Sequence, residues 1–259
     1  MSTLIQYQSE DGIATLTINR AEKRNALNNT MWQAISDALT QASADNTVKA
    51  LILTGAGQQA FCGGADIAEL ADNMKNPERQ QQSNVLIQRV QAELEEFSKP
   101  TIAAIRGACF GGGCGLALAC DFRFASPDSQ FAITPAKLGL LYSLRDTRRL
   151  YNLVGLALSR ELLYTAKPIN AERALNTGLV DRLVEGDSLM ATASEFAHTL
   201  SHNSPQSLRG IKTTLAHLQG LPAPDEAGLA QLFDEAFGSE DFSEGSQAFL
   251  SKRAPQFND

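Results

Sequence analysis

The spacing of apolar and polar residues predicts an α/β core in the first part of the chain. Residues 4–8 (LIQYQ) and 12–19 (GIATLTIN) are rich in β-forming residues and flank the turn sequence Glu10-Asp11-Gly12. This arrangement predicts a β-hairpin. Apolar residues recur at helical spacing over residues 30–44, which predicts an amphipathic helix there.

Two short apolar runs, residues 49–55 (KALILTG) and 100–107 (PTIAAIRG), predict buried strands. A polar helix predicted over residues 78–97 lies between them. Strand, helix and strand at this spacing are typical of crossover connections in a parallel sheet. The first part of the chain is therefore expected to be α/β.

From Thr147 onward the pattern changes to amphipathic helices separated by Gly or Pro. The predicted helical segments are residues 147–166, 170–179, 188–200, 205–218, 225–237 and 241–252. Residues 219–228 are the best linker candidate, either a mobile boundary or a rigid helix connection. We divide the chain into a core, residues 1–200, and a C-terminal helical region, residues 201–259.

Composition excludes several classes of protein. The 259 residues are 43% hydrophobic and 20% charged, with a formal net charge of −7, which argues against a nucleic-acid-binding protein. No apolar run is long enough to predict a membrane span, and no signal peptide is apparent. The four cysteines lie in apolar segments without CxxC pairs, and the three histidines all follow residue 197. We therefore expect reduced, buried thiols, no metal site and a cytoplasmic location.

Two glycine-bearing turns carry the candidate chemistry. GQQAFCGGADIAEL (residues 57–70) and ACFGGGCGLALACD (residues 108–121) each follow a predicted strand and precede a helix start. Helix starts leave N–H groups without partners, and two such groups from separate loops can stabilise charge that develops on one oxygen. Close packing alone is the alternative interpretation. Neither turn has the spacing of a nucleotide-phosphate fingerprint.

Five motifs in order resemble those of the crotonase superfamily, the enoyl-CoA hydratase/isomerase family, over nearly the whole chain. They are LTINRAEKRNALN, FCGGADIAEL, KPTIAAIRGACFGGGCGLALACD, ALNTGLVDRLV and EGSQAFLSKRAPQF. The resemblance implies an α/β, crotonase (ClpP-like) fold, a spiral of ββα units with a C-terminal helical trimerisation region. It also implies an acyl-CoA substrate, no permanently bound cofactor, and a homotrimer or a hexamer formed as a dimer of trimers.

The resemblance assigns roles residue by residue. The backbone N–H groups of Ala65 and Gly112 correspond to an oxyanion hole that binds the thioester carbonyl. The positions that correspond to coenzyme A contacts are Lys23, Arg24, Ala26, Leu27, Gly63, Asp66 and Ile67, with Phe249 and Lys252 reaching a neighbouring subunit's site. The alternative for Lys23 and Arg24 is that they are only solvated charges. The alternative for Phe249 is that it packs between helices.

Both glutamates that hydratases of the family use are absent. Gly115 and Ala136 occupy the corresponding positions, and Lys137 beside the second is a cation in the wrong role. Water addition uses two carboxylates to move protons. Hydration of a simple enoyl-CoA such as crotonyl-CoA is therefore expected to be slow.

The segment ITPAKLGLLYSL is similar to the methylmalonyl-CoA decarboxylase branch, where a Thr-Pro and a Tyr border the acyl group, matching Thr134 and Tyr142. That branch has a histidine at Ala65 and a glutamate at Gly115, which are departures. Loss of carbon dioxide from a malonyl-type thioester forms an enolate without a base and depends on stabilising the oxyanion. Decarboxylation is therefore the first expectation. The alternative to a role beside the acyl group is that Thr134 is only a turn residue and Tyr142 only a core residue.

Asp146 is the candidate for a relocated acid. With it, hydration or isomerisation of an enoyl-CoA becomes the second expectation, and a non-catalytic acyl-CoA-binding protein is the third. The alternative role of Asp146 is the N-cap of the following helix. Glu69 and Asp72 are expected to be solvated charges on a short helix.

Overall fold

A computed structural model describes residues 3–257 of the chain. They contain ten strands and ten α-helices, and the last four helices follow one another without a strand between them. The strands are β1 (Ile5–Glu10), β2 (Ile13–Ile18), β3 (Ala50–Gly55), β4 (Ala60–Cys62), β5 (Thr101–Ile105), β6 (Ala108–Phe110), β7 (Phe122–Ala125), β8 (Gln130–Ala132), β9 (Ile169–Asn170) and β10 (Arg182–Leu183). The helices are α1 (Asn29–Ala44), α2 (Ile67–Asn73), α3 (Pro77–Glu95), α4 (Gly112–Ala119), α5 (Leu144–Thr165), α6 (Ala171–Asn176), α7 (Leu189–Ser201), α8 (Pro205–Leu218), α9 (Glu226–Ala236) and α10 (Glu240–Leu250).

The strands form two sheets. The larger has the order β1-β2-β3-β5-β7-β10, and the smaller has the order β4-β6-β8-β9. The β1–β2 and β8–β9 pairs are antiparallel, and the other pairs are parallel. The predicted hairpin and both predicted buried strands are confirmed.

A repeating unit generates this arrangement. β3 joins the large sheet, β4 joins the small sheet, and α2 follows; β5, β6 and α4 repeat the order. β7 and β8 begin a third turn, which ends in a 3₁₀ helix, Pro135–Leu138. The predicted α/β spiral of ββα units is confirmed. β4 and β6 lie within the two glycine-bearing turns and pair in parallel, so the glycines that follow them, at residues 63–64 and 111–113, leave the small sheet side by side.

The apolar core lies on both faces of the large sheet. On one face, Leu189 and Ala193 of α7 pack against Ile52 and Ile102. On the other face, the small sheet and α1, α3 and α4 enclose a larger core. All four cysteines are buried and free, as predicted.

Several helices begin earlier than the apolar spacing predicts, because polar caps set their first turns. α1 begins at Asn29 since the Asn28 side chain accepts a hydrogen bond from the Met31 N–H at 2.9 Å. α5 begins at Leu144, three residues before the predicted start. Further along, Gly155 has non-helical dihedral angles and interrupts this helix.

The linker candidate at residues 219–228 falls on the connection between α8 and α9. This connection packs on α5, where the Asn152 side-chain amide donates to the Gln219 carbonyl at 3.2 Å. That contact favours the rigid alternative. In the described part of the chain, no helix has both the length and the apolar composition needed to cross a lipid bilayer.

Candidate active site

The loop before α1 and the turn after β4 form one hydrogen-bonded unit. The Gly63 N–H donates to the Arg24 carbonyl, the Leu27 N–H donates to the Gly64 carbonyl, and the Asp66 N–H donates to the Leu27 carbonyl, each at 2.8 Å. Leu27 and Ala65 thus face each other as an isolated parallel bridge. The loop fixes the position of the Ala65 backbone.

Buried Asn25 holds this loop in place. Its side-chain amide donates to the Ala60 carbonyl at 2.7 Å and to the Ala56 carbonyl at 3.0 Å, and its oxygen accepts from the Arg20 N–H at 2.9 Å. Asn25 has a φ of 56°, a left-handed conformation that asparagine tolerates better than most residues. The Asn25 side chain therefore supplies the hydrogen-bond partners that these backbone groups do not find in the turn itself.

The two glycine-bearing turns bring the predicted oxyanion-hole donors together. Gly64 has a φ of 102°, and a Cβ placed there would lie 3.7 Å from the Gly112 nitrogen and 3.1 Å from the Phe110 carbonyl oxygen. Gly112 is the first residue of α4. Among the described residues, neither the Ala65 N–H nor the Gly112 N–H has a hydrogen-bond acceptor within the protein. The two donors are available for one external oxygen.

Asp66 lies directly after Ala65 and is the N-cap of α2. Its carboxylate caps α2 by accepting from the Ala68 N–H at 3.0 Å, and it pairs with the Arg20 guanidinium at 2.7 Å. The hydrogen bond from Arg20 keeps the pKa of Asp66 below its ordinary value. Sequence reasoning did not identify Arg20.

The predicted coenzyme A residues differ in exposure. Lys23 and Arg24 project from the surface of the loop, and Ile67 is 57% exposed at the start of α2. Ala26 is half-buried, whereas the Leu27 side chain packs into the core at 2% exposure. Leu27 can therefore contribute to a ligand route only through its backbone.

Phe249 and Lys252 lie at the end of α10 and just after it. Phe249 is 83% exposed and lines an apolar groove of about 670 Å³ with Phe242 and Phe257. Their role at a neighbouring subunit stays a prediction.

Gly115 stands where the family's hydratases carry the first glutamate. The space that a side chain at residue 115 would fill is bordered by side chains from two other helices. A Cβ placed on Gly115 would lie 2.0 Å from Gln91 Nε2 and 3.1 Å from Asp146 Oδ1. Gln91 belongs to α3 and Asp146 belongs to α5. Two other elements thus deliver an amide and a carboxylate to the space where the side chain of residue 115 would begin.

Asp146 is the third residue of α5 and is not its N-cap, so that interpretation is wrong. Ser143 is the N-cap, and its hydroxyl oxygen accepts from the Asp146 N–H at 3.0 Å. The Ser143 hydroxyl in turn donates to Asp146 Oδ2 at 2.7 Å. The pattern Ser-Leu-Arg-Asp before an apolar run is the sequence signal of this capping arrangement.

A buried ion-pair network supports the Asp146 carboxylate. Arg149 donates to Asp146 Oδ1 at 2.8 Å and holds both oxygens of Glu95 at 2.7 and 2.9 Å. Burial raises the pKa of Asp146 above its ordinary value, although Arg149 and Ser143 oppose this. For Glu95, burial is outweighed by Arg149 and Arg145, which lower the pKa.

Thr134 and Tyr142 border the start of α4. A Cβ on Gly111 would lie 3.6 Å from Thr134 Oγ1, and the Tyr142 hydroxyl donates to the Gly111 carbonyl at 3.4 Å. The Tyr142 ring packs against the core, and burial, followed by the charge of Asp146, raises its pKa well above the ordinary value. Thr134 makes no capping hydrogen bond to the 3₁₀ helix that follows it.

The second absent glutamate corresponds to an exposed position. Ala136 and Lys137 lie on the 3₁₀ helix Pro135–Leu138 and are both exposed. Within residues 3–257, no cluster of His, Cys, Asp and Glu has metal-binding geometry. Beside Gly115, in the second glycine-bearing turn, the carboxylate oxygen nearest to the missing side chain belongs to Asp146.

Gln91, Glu95 and Arg149 were missed by sequence reasoning. The available signal for Gln91 was its place between Val90 and Leu94, since a polar residue on the buried face of a helix needs a partner. Glu95 and Arg149 are 54 residues apart in sequence, and nothing local in either segment indicates that they meet.

Comparisons with known proteins agree with this architecture. The family model described as Enoyl-CoA hydratase/isomerase matches residues 8–259. The chain is 35% identical to a short-chain-enoyl-CoA hydratase of Clostridium acetobutylicum, covering 95% of this chain and 94% of that protein. It is 36% identical to a crotonyl-CoA hydratase of Syntrophomonas wolfei subsp. wolfei, covering 98% and 97%. The crystal structure of an enoyl-CoA hydratase from Bacillus anthracis superposes with a TM-score of 0.90 at 31% identity, covering 99% of each chain.

Proposed function

This chain belongs to the enoyl-CoA hydratase/isomerase family, and we propose that it adds water to the double bond of an enoyl-CoA thioester, with Asp146 as the acid–base group. The single observation that carries this proposal is the position of Asp146 Oδ1 beside the space above Gly115. A carboxylate is thereby present close to where the family's hydratases carry one, although it comes from a different helix.

The first step is polarisation of the thioester. Its carbonyl oxygen accepts hydrogen bonds from the Ala65 and Gly112 N–H groups, which lack acceptors within the described protein. These donors stabilise the negative charge that moves onto the oxygen as the β-carbon is attacked. Because the donors are backbone groups fixed by the loop and by α4, they need little reorganisation during the reaction.

The second step is proton transfer at Asp146. Its carboxylate takes a proton from water as the water oxygen bonds to the β-carbon, and the π electrons move to the thioester oxygen to give an enolate. The carboxyl group then returns a proton to the α-carbon, which completes addition of one water molecule. Burial raises the pKa of Asp146 towards the neutral range in which such a group acts efficiently.

Hydration replaces decarboxylation as the favoured reaction. The two relatives described above are named hydratases, which supports water addition over loss of carbon dioxide. The expectation of slow hydration assumed that no carboxylate replaced the absent glutamates, and the position of Asp146 removes that assumption. Thr134 and Tyr142 then shape the space beside Gly111 rather than orient a departing carboxylate.

Double-bond isomerisation is the second candidate, and the same carboxylate favours it. One group that removes a proton from one carbon and returns it two carbons away is sufficient for this reaction. Among the described residues, Asp146 supplies the carboxylate oxygen nearest to the Gly115 space.

We also propose that Lys23 and Arg24 bind the phosphates of coenzyme A, with Gly63, Asp66 and Ile67 along the same route. Exposed cations on a rigid loop suit a flexible polyanionic ligand in an otherwise acidic protein.

A panel of acyl-CoA substrates analysed by mass spectrometry tests the proposed function. The expected result is gain of one water molecule by a 2-enoyl-CoA. Conversion of a 3-enoyl-CoA without mass change would indicate isomerisation, and loss of carbon dioxide from methylmalonyl-CoA would indicate decarboxylation. Binding of every thioester without turnover would leave only the non-catalytic alternative.

A further inference from the structure

Gln91 is a buried polar residue on a helix whose other polar side chains mostly face solvent. It is 2% exposed and lies between the core residues Val90 and Leu94. Burial of an amide is unfavourable unless the group has hydrogen-bond partners or a function that retains it. Its location therefore requires an explanation that core packing alone does not give.

The side-chain amide of Gln91 and the absence of a side chain at residue 115 are complementary. With a Cβ on Gly115 only 2.0 Å from Gln91 Nε2, any other residue at position 115 would displace the amide. The same point is 3.1 Å from Asp146 Oδ1. The amide and the carboxylate therefore border one small space next to the first turn of α4, three residues from the Gly112 N–H.

We propose that Gln91 is the second water-binding group of this active site and acts together with Asp146. This inference rests on the proposed hydration reaction. The Nε2–H group donates a hydrogen bond to one lone pair of the reacting water, whose other lone pair forms the bond to the β-carbon. The proton that leaves the water goes to the Asp146 carboxylate. In the reverse direction, the same N–H group donates to the departing hydroxyl.

A neutral amide orients water without exchanging a proton, so the pH dependence of turnover should report one group. The charged and titratable neighbours of Asp146 are Arg149 on its own helix, Glu95 on α3, and Tyr142. The pKa of Arg149 is raised despite the opposing effect of burial, because Glu95 and Asp146 stabilise its charge. The pKa of Tyr142 is raised by burial, and that of Glu95 is lowered by its arginine partners against the effect of burial. Of these four groups, Asp146 is the one whose pKa is shifted in the direction of neutral pH, so the pH profile should report the ionisation of Asp146.

Three variants test this inference with crotonyl-CoA as the probe, using the loss of enoyl absorbance. Gln91→Ala should lower kcat by about 10- to 10²-fold with little change in KM, because the water loses its orientation. Gln91→Glu should add a second limb to the pH profile of kcat, because two neighbouring carboxyl groups titrate as a coupled pair. Gln88→Glu is the matched control, since Gln88 is exposed on the same helix and its substitution adds the same charge.

The outcomes separate this inference from the proposed function. Turnover that needs Asp146 but is unchanged in Gln91→Ala would overturn the role of Gln91 alone. A Gln91→Glu profile that superimposes on that of Gln88→Glu would do the same, and this comparison holds even if Gln91→Ala folds poorly. Absence of hydration by the unmodified protein would overturn the proposed function and this inference together.

Discussion

The Arg149 guanidinium lies 2.8 Å from the Asp146 carboxylate, and both side chains are buried one helical turn apart on α5. Arg149 also binds Glu95 through two further nitrogen atoms. Its charge is therefore shared between two carboxylates, and Asp146 receives one of its hydrogen bonds. This division leaves the pKa of Asp146 raised by burial while that of Glu95 is lowered.

Asp146→Asn should lower kcat for hydration by about 10²–10⁴-fold, the usual contribution of a general acid–base group. The amide is nearly isosteric but cannot accept the proton from water. Initial rates with crotonyl-CoA measure the effect, and calorimetry with the same thioester should show nearly unchanged affinity. Asp72→Asn, at an exposed carboxylate on α2, is the control. Full activity in Asp146→Asn would exclude Asp146 as the acid–base group.

Gly115→Ala should reduce turnover to about the level of Gln91→Ala, because the new methyl group takes the position of the Gln91 amide. Adding Gly115→Ala to Gln91→Ala should cost little more, since the displaced group is already absent. A double-mutant cycle on kcat measures this coupling. Thermal unfolding is the accompanying control, and alanine within α4 should itself favour the helix by about 1 kcal/mol. Additive losses would contradict the shared position.

Glu95→Gln should destabilise the protein by roughly 3–5 kcal/mol at neutral pH, because Arg149 loses a buried bidentate partner. The pKa of Glu95 is lowered on folding, so its stabilising contribution is complete above the ordinary value of 4.5 and is lost as pH falls through the folded value. The difference between the two proteins should therefore shrink below about pH 4.5. Urea denaturation at several pH values measures it. A difference that is constant with pH would contradict the ion-pair explanation.

Replacing Lys23 and Arg24 together by alanine should raise KM about three- to tenfold while kcat changes little. Exposed charge contacts contribute on the order of 0.2–1 kcal/mol each, and salt should reduce the difference. Lys167→Ala, at an exposed position two residues beyond the end of α5, is the control for the loss of one positive charge elsewhere on the surface. An equal effect in the control would show that net charge, and not this loop, determines coenzyme A binding.

The C-terminal helices should assemble the chain into a closed trimer, or a hexamer of two trimers, in light scattering at micromolar concentration. Exposed aromatic rings support this expectation, since Phe233 and Phe237 pack edge to face and leave an apolar surface open to solvent. Phe233→Asp should weaken the assembly, whereas Tyr164→Asp on α5 should not. Light scattering that reports a monomer for the unmodified protein would contradict the predicted assembly.

The elements that sequence reasoning located best are those determined by local patterns. The hairpin follows from β-rich runs around Asp11-Gly12, and the buried strands follow from uninterrupted apolar runs. The convergence of the Ala65 and Gly112 turns could be expected only through the resemblance, because the parallel pairing of β4 with β6 is not visible in either segment.

The polar network around Gly115 could not be predicted in the same way. Three helices contribute to it, and each contributing residue has an ordinary local environment in the sequence. The absence of a glutamate at Gly115 was visible, but the side chains that take its place depend on how α3 and α5 pack on α4. The sequence signals are the capping pattern Ser143-Leu-Arg-Asp146 and the place of Gln91 between the apolar residues Val90 and Leu94, and neither shows that these side chains meet at Gly115.

The backbone pairing between Arg24–Leu27 and Gly63–Asp66 limits how the chain can change in length. A single-residue insertion between Arg24 and Leu27 would slip the pairing and rotate the Ala65 N–H away from its partner donor at Gly112. An insertion of the same size at exposed Pro222, beyond the carbonyls of Gln219 and Gly220 that contact α5, would lengthen a surface part of the connection between α8 and α9. Engineering of the coenzyme A end of the site is therefore restricted to side-chain exchanges, while the C-terminal connection accepts added residues.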